Sequence, residues 1–350
     1  MSQRPARVPL IPVRRRRRAV AVVLAAGCLA AAACGGSKKP AAAPTPTPTP
    51  SPSESPSPSP IPPGSVSPLS GRPARQGLPV LGVKVDNVAG AFPQAGLTSA
   101  DMVFVEQVEG GLTRLLAIFS SDIPKQVGPV RSARTDNLEL LRQFGTPTLA
   151  FSGANAYVLN AVRSSPIKNG DPDSDPSAYT RVGDHVAPHN LFLDPNALLK
   201  VVKGSPAKSI GLTFDDTKVT EGNPASKVTV TYPMAQLVFT YDKVQGDWVV
   251  KQDGADDKLE DGKFRRADTV VVIHVTSRRD FDPITPYNIT VGRGSGTVFR
   301  DGRAIPVSWN RANETTGMTF KDKSGKVVPM RVGQTWVVVL PEDASATGAA

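Results

Sequence analysis

Two arginines stand three residues apart in Gly128-Pro129-Val130-Arg131-Ser132-Ala133-Arg134, where a helical pattern begins. The free backbone N–H groups of a helix start and two guanidinium forks can converge on one anion. A plainer reading competes: surface arginines, with Arg134 paired to Asp136 or Glu139. The histidines are His185, His189 and His274, and the first two share His185-Val186-Ala187-Pro188-His189-Asn190. Zinc would need a third ligand, and Pro188 interrupts the helix that could align the two imidazoles, so no metal is expected. In a rigid turn beside Asn190, His189 can serve as base or hydrogen-bond donor, or simply brace the turn. The run Asp171 to Asp175 starts like a calcium loop, but Pro176 replaces the turning glycine and Val182 stands where a bidentate glutamate belongs. It reads as a solvated acidic loop. No G-x-S-x-G or P-loop occurs, Gly292-Arg-Gly-Ser-Gly296 lies among strands, and no cofactor is expected.

These residues need elements to carry them. A strand at 80–85 ends at Asp86-Asn87, and strands at 102–109 and 112–119 flank Gly110-Gly111, a two-residue hairpin signal. That register sets Glu109 opposite Leu112 and Gln107 opposite Arg114, making Glu109 and Arg114 diagonal neighbours able to pair. Helices are predicted at about 132–144, 154–163 and 195–203, the last with Asp194 as N-cap, Pro195 in the first turn and Gly204 beyond its end. From 227 to 340 the pattern is short strands, with turns at Asp301-Gly302 and Ser324-Gly325. The expected class is α+β: a layered sheet-and-helix N-terminal domain at 78–212, then a β-rich antiparallel C-terminal domain at 227–341.

The chain has 350 residues and a formal net charge of +10. Residues 1–33 hold seven arginines and no acid, and 34–77 add a net three positive charges, leaving the remainder neutral. A broad basic footprint for nucleic acid is therefore excluded. Five consecutive arginines, Arg14 to Arg18, precede a fifteen-residue apolar run from Ala19 to Ala33, and Cys34 follows. A span needs roughly 20 apolar residues, so this run fits a secretory signal instead. The small residues before Cys34 resemble a bacterial lipobox; Ala31 departs from its usual leucine, and Cys28 is a competing, less favoured site. Those two are the only cysteines, so cleavage before Cys34 leaves no disulfide or second thiol. Residues 40–68 hold twelve of the 34 prolines. This composition favours an extended, disordered tether over residues 34–77, of which some thirty residues reach on the order of 90 Å. All twenty aromatic residues lie at or after Phe92.

Several segments match a known family in order: Val83-Lys-Val-Asp-Asn87, Pro93-Gln-Ala-Gly-Leu97, Ala100-Asp101, Glu106-Gln-Val-Glu-Gly-Gly-Leu-Thr-Arg114, Gly128 to Arg134, Ala187-Pro-His-Asn190 and Gly333-Gln-Thr-Trp336. Together with Trp309 they resemble the YerB-like bacterial lipoproteins, a family of unknown function. The resemblance implies a lipid anchor on the extracytoplasmic face of the cell membrane, an α+β first domain and a β-rich second one. It adds weight to Asp86, Asn87, Glu109, Arg114, Arg131, Arg134, His189 and Asn190. Two functions stay open. One is a non-catalytic lipoprotein, held by a diacylglyceryl group on Cys34, that binds an anionic envelope component or a partner protein. The other is an envelope hydrolase or transferase acting on a phosphodiester or acidic glycan, with Arg131 and Arg134 clamping the anion, His189 as acid or base and Glu109 orienting Arg114.

Overall fold

Strand β1, Leu81–Asp86, is buried along its whole length. So are β2, Met102–Gln107, and nearly all of β3, Thr113–Phe119. Such continuous burial means that both faces of the sheet are covered. The computed structural model describes residues 65–75, 77–254 and 258–349. The signal segment, Cys34 and the tether as far as residue 64 lie outside the described residues.

Most described strands join one eleven-stranded sheet. Its path runs Thr319–Lys321, Arg303–Arg311, Gly292–Arg300, Thr269–His274, Thr335–Leu340, β2, β3, β1, then β4 (Thr148–Ala150) and β5 (Lys168–Asn169), and the eleventh strand, Asn223–Pro224, pairs with Arg303–Arg311 off this path. Strands from both halves of the chain thus share one hydrogen-bonded sheet, joined where Thr335–Leu340 runs parallel to β2. The C-terminal half is not purely antiparallel, because Thr269–His274 and Thr335–Leu340 also run parallel to each other. Parallel neighbours need a long connection, and residue alternation does not encode strand direction. A second sheet of five antiparallel strands is formed by Arg265–Ala267, Asp247–Gln252, Ala235–Asp242, Lys227–Tyr232 and Ser345–Ala349.

Side-chain alternation sorts the core onto two faces of the large sheet. Val83, Val103, Val105, Leu115 and Val338 meet Val228, Val230, Phe239 and Trp248 of the five-stranded sheet. Phe104, Leu116, Ile118, Val337 and Val339 pack with the helices α1 (Thr135–Leu141) and α2 (Ala156–Ser164) through Leu140, Leu141, Val158 and Val162. The third helix, α3, spans Pro195–Val201, and Asp194 Oδ1 accepts from Ala197 N at 3.0 Å as its N-cap. The described residues are sheet-rich with few, short helices.

Two expectations are corrected. The β2–β3 connection is a three-residue turn over Glu109–Gly111, with Val108 N donating to Leu112 O at 2.8 Å. Arg114 therefore opposes Glu106, and Gln107 opposes Thr113. Both glycines take positive φ, and a Cβ on Gly111 would come within 2.6 Å of Pro233 Cβ, so packing against the second sheet helps set this loop. The tether also ends earlier than residue 77. Leu69 is fully buried, and the Ser67 and Ser70 hydroxyls donate to Asp101 Oδ1 at 3.1 and 2.5 Å. Gly333 N also donates to Ser70 O at 2.8 Å, so the stretch is docked on the folded body.

Candidate functional site

On β1, Lys84 and Asp86 are two residues apart and so share the face toward α1. In register, Arg114 lies opposite Asp86 and Glu106 lies opposite Arg114, so four charged side chains occupy one end of that face. Residues 129–131 run against the end of β1: Asp86 N donates to Pro129 O and Arg131 N to Lys84 O, both at 2.8 Å. That pairing carries Arg131 to Asp86. His189 arrives from a loop closed by its own N–H donating to Val186 O at 2.9 Å. Gly90 makes room for the ring, since a Cβ there would lie 3.2 Å from His189 Cδ2.

Asp86, with no exposed surface, is the hub. Its Oδ1 accepts from Asn87 N at 2.9 Å and lies 3.1 Å from Arg114 Nη1. Its Oδ2 lies 3.1 Å from Arg131 Nε and 2.5 Å from His189 Nδ1. One carboxylate thus faces two guanidiniums and an imidazole, a local excess of positive charge. The Arg131 and His189 side chains are 23% and 24% exposed, so this excess reaches solvent. Burial lowers the Arg114 pKa; Asp86 opposes that, and the nearby charges of Arg131 and Arg134 lower it further. Three arginines crowd together here.

Arg134 has a different partner from the hub. Its Nε and Nη2 donate to Glu109 Oε1 and Oε2 at 2.7 and 2.5 Å, a two-pronged pair. Glu109 thus holds Arg134 and does not pair with Arg114, and Arg134 pairs with neither Asp136 nor Glu139. Burial pushes the Glu109 carboxyl up, but the hydrogen bond and charge of Arg134 outweigh this and hold it below its ordinary value. Thr285 Oγ1 adds a hydrogen bond to Glu109 Oε1 at 3.0 Å.

Asn87 points to the opposite face. Its Nδ2 donates to Thr113 Oγ1 at 2.8 Å and its Oδ1 accepts from Arg265 Nη1 at 3.1 Å, tying β1 to the second sheet. Asn190 accepts from Arg181 Nη1 at 2.6 Å on an exposed hairpin. Neither asparagine side chain joins the hub. His185 is also elsewhere, its ring 5.1 Å from that of Phe192.

Sequence reasoning missed a second layer beneath the hub. Lys84 is fully buried and forms an ion pair with Glu106, which also accepts from Asn137 Nδ2 at 3.0 and 3.1 Å. Beside them Asp136 accepts from Asn288 Nδ2 at 2.8 Å. Its burial, with the Glu106 charge second, pushes its carboxyl up to about 7. The legible signal was a lysine and a glutamate inside otherwise apolar strands, which need partners when buried. A separate cleft of roughly 400 Å³, lined by Leu97, Phe264, Arg265 and Trp336 among others, does not include the hub residues.

Residues 69–208 match the family model described as "Protein of unknown function (DUF3048) N-terminal domain", and residues 228–337 match the corresponding C-terminal domain. The chain belongs to the DUF3048 family. It is 30% identical over 287 residues to the Bacillus subtilis (strain 168) protein named "Putative lipoprotein YerB", a match covering 74% of this chain and 80% of that one. A crystal structure of the YerB protein from Bacillus subtilis shares the fold, with a TM-score of 0.70 at 24% identity over 81% of this chain and 99% of that chain. In DUF3048 terms the hub lies wholly in the N-terminal match, and Thr285 and Asn288 of the C-terminal one bond Glu109 and Asp136 beside it.

Proposed function

We propose that this DUF3048 protein is held on the extracytoplasmic face of the cell membrane by a diacylglyceryl group on Cys34 and binds an anionic envelope component at the Asp86 hub. The carrying observation is that one buried carboxylate faces Arg114, Arg131 and His189, leaving uncompensated positive charge at the surface. Preformed guanidinium donors bind carboxylate or phosphate oxygens without further ordering. Calorimetric titration of the full chain with inorganic phosphate tests the site. Binding should weaken with added salt and disappear in Arg131→Ala; binding unchanged by that substitution would place the anion elsewhere. For the anchor, labelled palmitate should enter the wild-type chain and not Cys34→Ser.

A hydrolase or transferase is the second reading, favoured by the contact between His189 and Asp86. A carboxylate on Nδ1 fixes the tautomer and leaves Nε2 as a base. Turnover of envelope phosphodiesters or glycans that His189→Ala abolishes, with affinity retained, would support it over simple binding.

A further inference from the structure

The surface beside the arginines is aromatic. Tyr157, near the start of α2, is 55% exposed, and its ring lies 4.8 Å from that of Phe281. Two anchors hold this pair against the segment that carries Arg131 and Arg134. Ser152 N donates to Arg131 O at 2.9 Å and Ala133 N to Gly153 O at 3.2 Å, fixing the chain just before α2. On the other side the Thr135 hydroxyl donates to the Asp280 carboxylate, and Thr285 Oγ1 donates to Glu109, so the loop bearing Phe281 closes on the Arg134–Glu109 pair. Ile284 on that loop is 64% exposed and extends the apolar rim.

A ligand that engages both parts must carry an anionic group and an apolar face. The C–H face of a sugar ring meets the second demand, because its weakly positive hydrogens suit the negative face of an aromatic ring. We infer that the anion recognised at Asp86 belongs to an acidic saccharide, with one ring of that saccharide seated on Tyr157. This rests on the anion-site reading above.

Four probes separate the contributions in titrations of the full chain. N-acetylmuramic acid and N-acetylglucosamine 6-phosphate carry a carboxylate or a phosphate on a similar ring, N-acetylglucosamine carries the ring alone, and inorganic phosphate the charge alone. At least one acidic sugar should bind about tenfold tighter than either single-feature probe, the size of one good aromatic contact. Tyr157→Ala should remove that advantage and leave phosphate binding unchanged, while Tyr157→Phe should keep it. The better acidic sugar identifies the acid. If Tyr157→Ala leaves the acidic sugars unaffected, or the neutral sugar binds equally well, the saccharide inference fails and the anion site stands. Phosphate binding that persists in Arg131→Ala, or no binding of any probe, overturns both.

Discussion

His189 Nδ1 lies 2.5 Å from Asp86 Oδ2, although the two residues are 103 positions apart in the chain. The contact joins the end of a central strand to a loop beyond the third quarter of the N-terminal match. It turns a buried carboxylate into the organiser of two guanidiniums and an imidazole. The positive groups are thereby positioned before any ligand arrives, which is the condition for inexpensive anion binding.

Removing that organiser should be costly. Asp86→Ala leaves Arg114 and Arg131 without their shared counter-charge in a partly buried site. A loss of about 3 kcal/mol or more is expected in urea unfolding at neutral pH. Arg131→Ala removes a side chain with 23% exposure and should cost about 1 kcal/mol or less. Equal losses for the two variants would contradict the hub.

Lys84→Met should destabilise by about 3–5 kcal/mol, because Glu106 is then a buried charge without its cation. Adding Glu106→Gln should restore part of the loss, since the amide carries no charge to desolvate. A double-mutant cycle from chemical denaturation reads this coupling. Additive single losses would rule the ion pair out as the cause.

The Asp136 carboxyl titrates at about 7 in the folded chain against an ordinary 3.8. Between those values the folded state keeps a proton that the unfolded chain releases, so its contribution to stability falls as pH rises through this window. Asp136→Asn keeps an acceptor for Asn288 and abolishes the titration. Compared with wild type, the variant should therefore gain relative stability as pH is raised from 4 to 8 in parallel urea titrations. A difference independent of pH would refute the assignment.

Asp101 should clamp the docked end of the tether. Its side chain accepts from the Ser67 and Ser70 hydroxyls and from Ser120 and Ser121 N at 2.8 and 2.9 Å. Asp101→Ala leaves those donors unmatched, at a cost of about 2 kcal/mol. Trypsin should then cut after Arg75 much faster, with Leu69→Ala giving the same phenotype. Unchanged cleavage in both variants would show that the segment is held by other contacts.

The helices and most strands were legible because their signals are local. The Asp194 cap and the apolar stripe of α2 specify elements wherever they sit, and the strand at Thr335–Leu340 is an unbroken apolar run. The turn at Gly110-Gly111 was visible, but its length was not, since the approach of Pro233 comes from another sheet. Within the candidate site, Arg131 and His189 were singled out by residue type and position. Their shared partner Asp86 was named only as a strand end in a family segment. Glu109 was assigned to Arg114 because the register was one residue off, and Arg134 lies 25 positions away from it. Arg311 carried no signal at all: it is fully buried, and its Nη2 donates to Glu139 O at 2.6 Å, 172 positions distant.

By itself the sequence determined the family, the balance of charge beyond its basic first 77 residues and the identity of most elements. These follow from composition, periodicity and capping, which act over a few residues. Only the tertiary structure decided which strands became neighbours, that both halves of the chain share one sheet, and which acid met which base. Side-chain alternation records the face a residue points to and not the strand beside it, whereas a charge buried in a sheet is satisfied only by whatever that neighbour brings within about 3 Å.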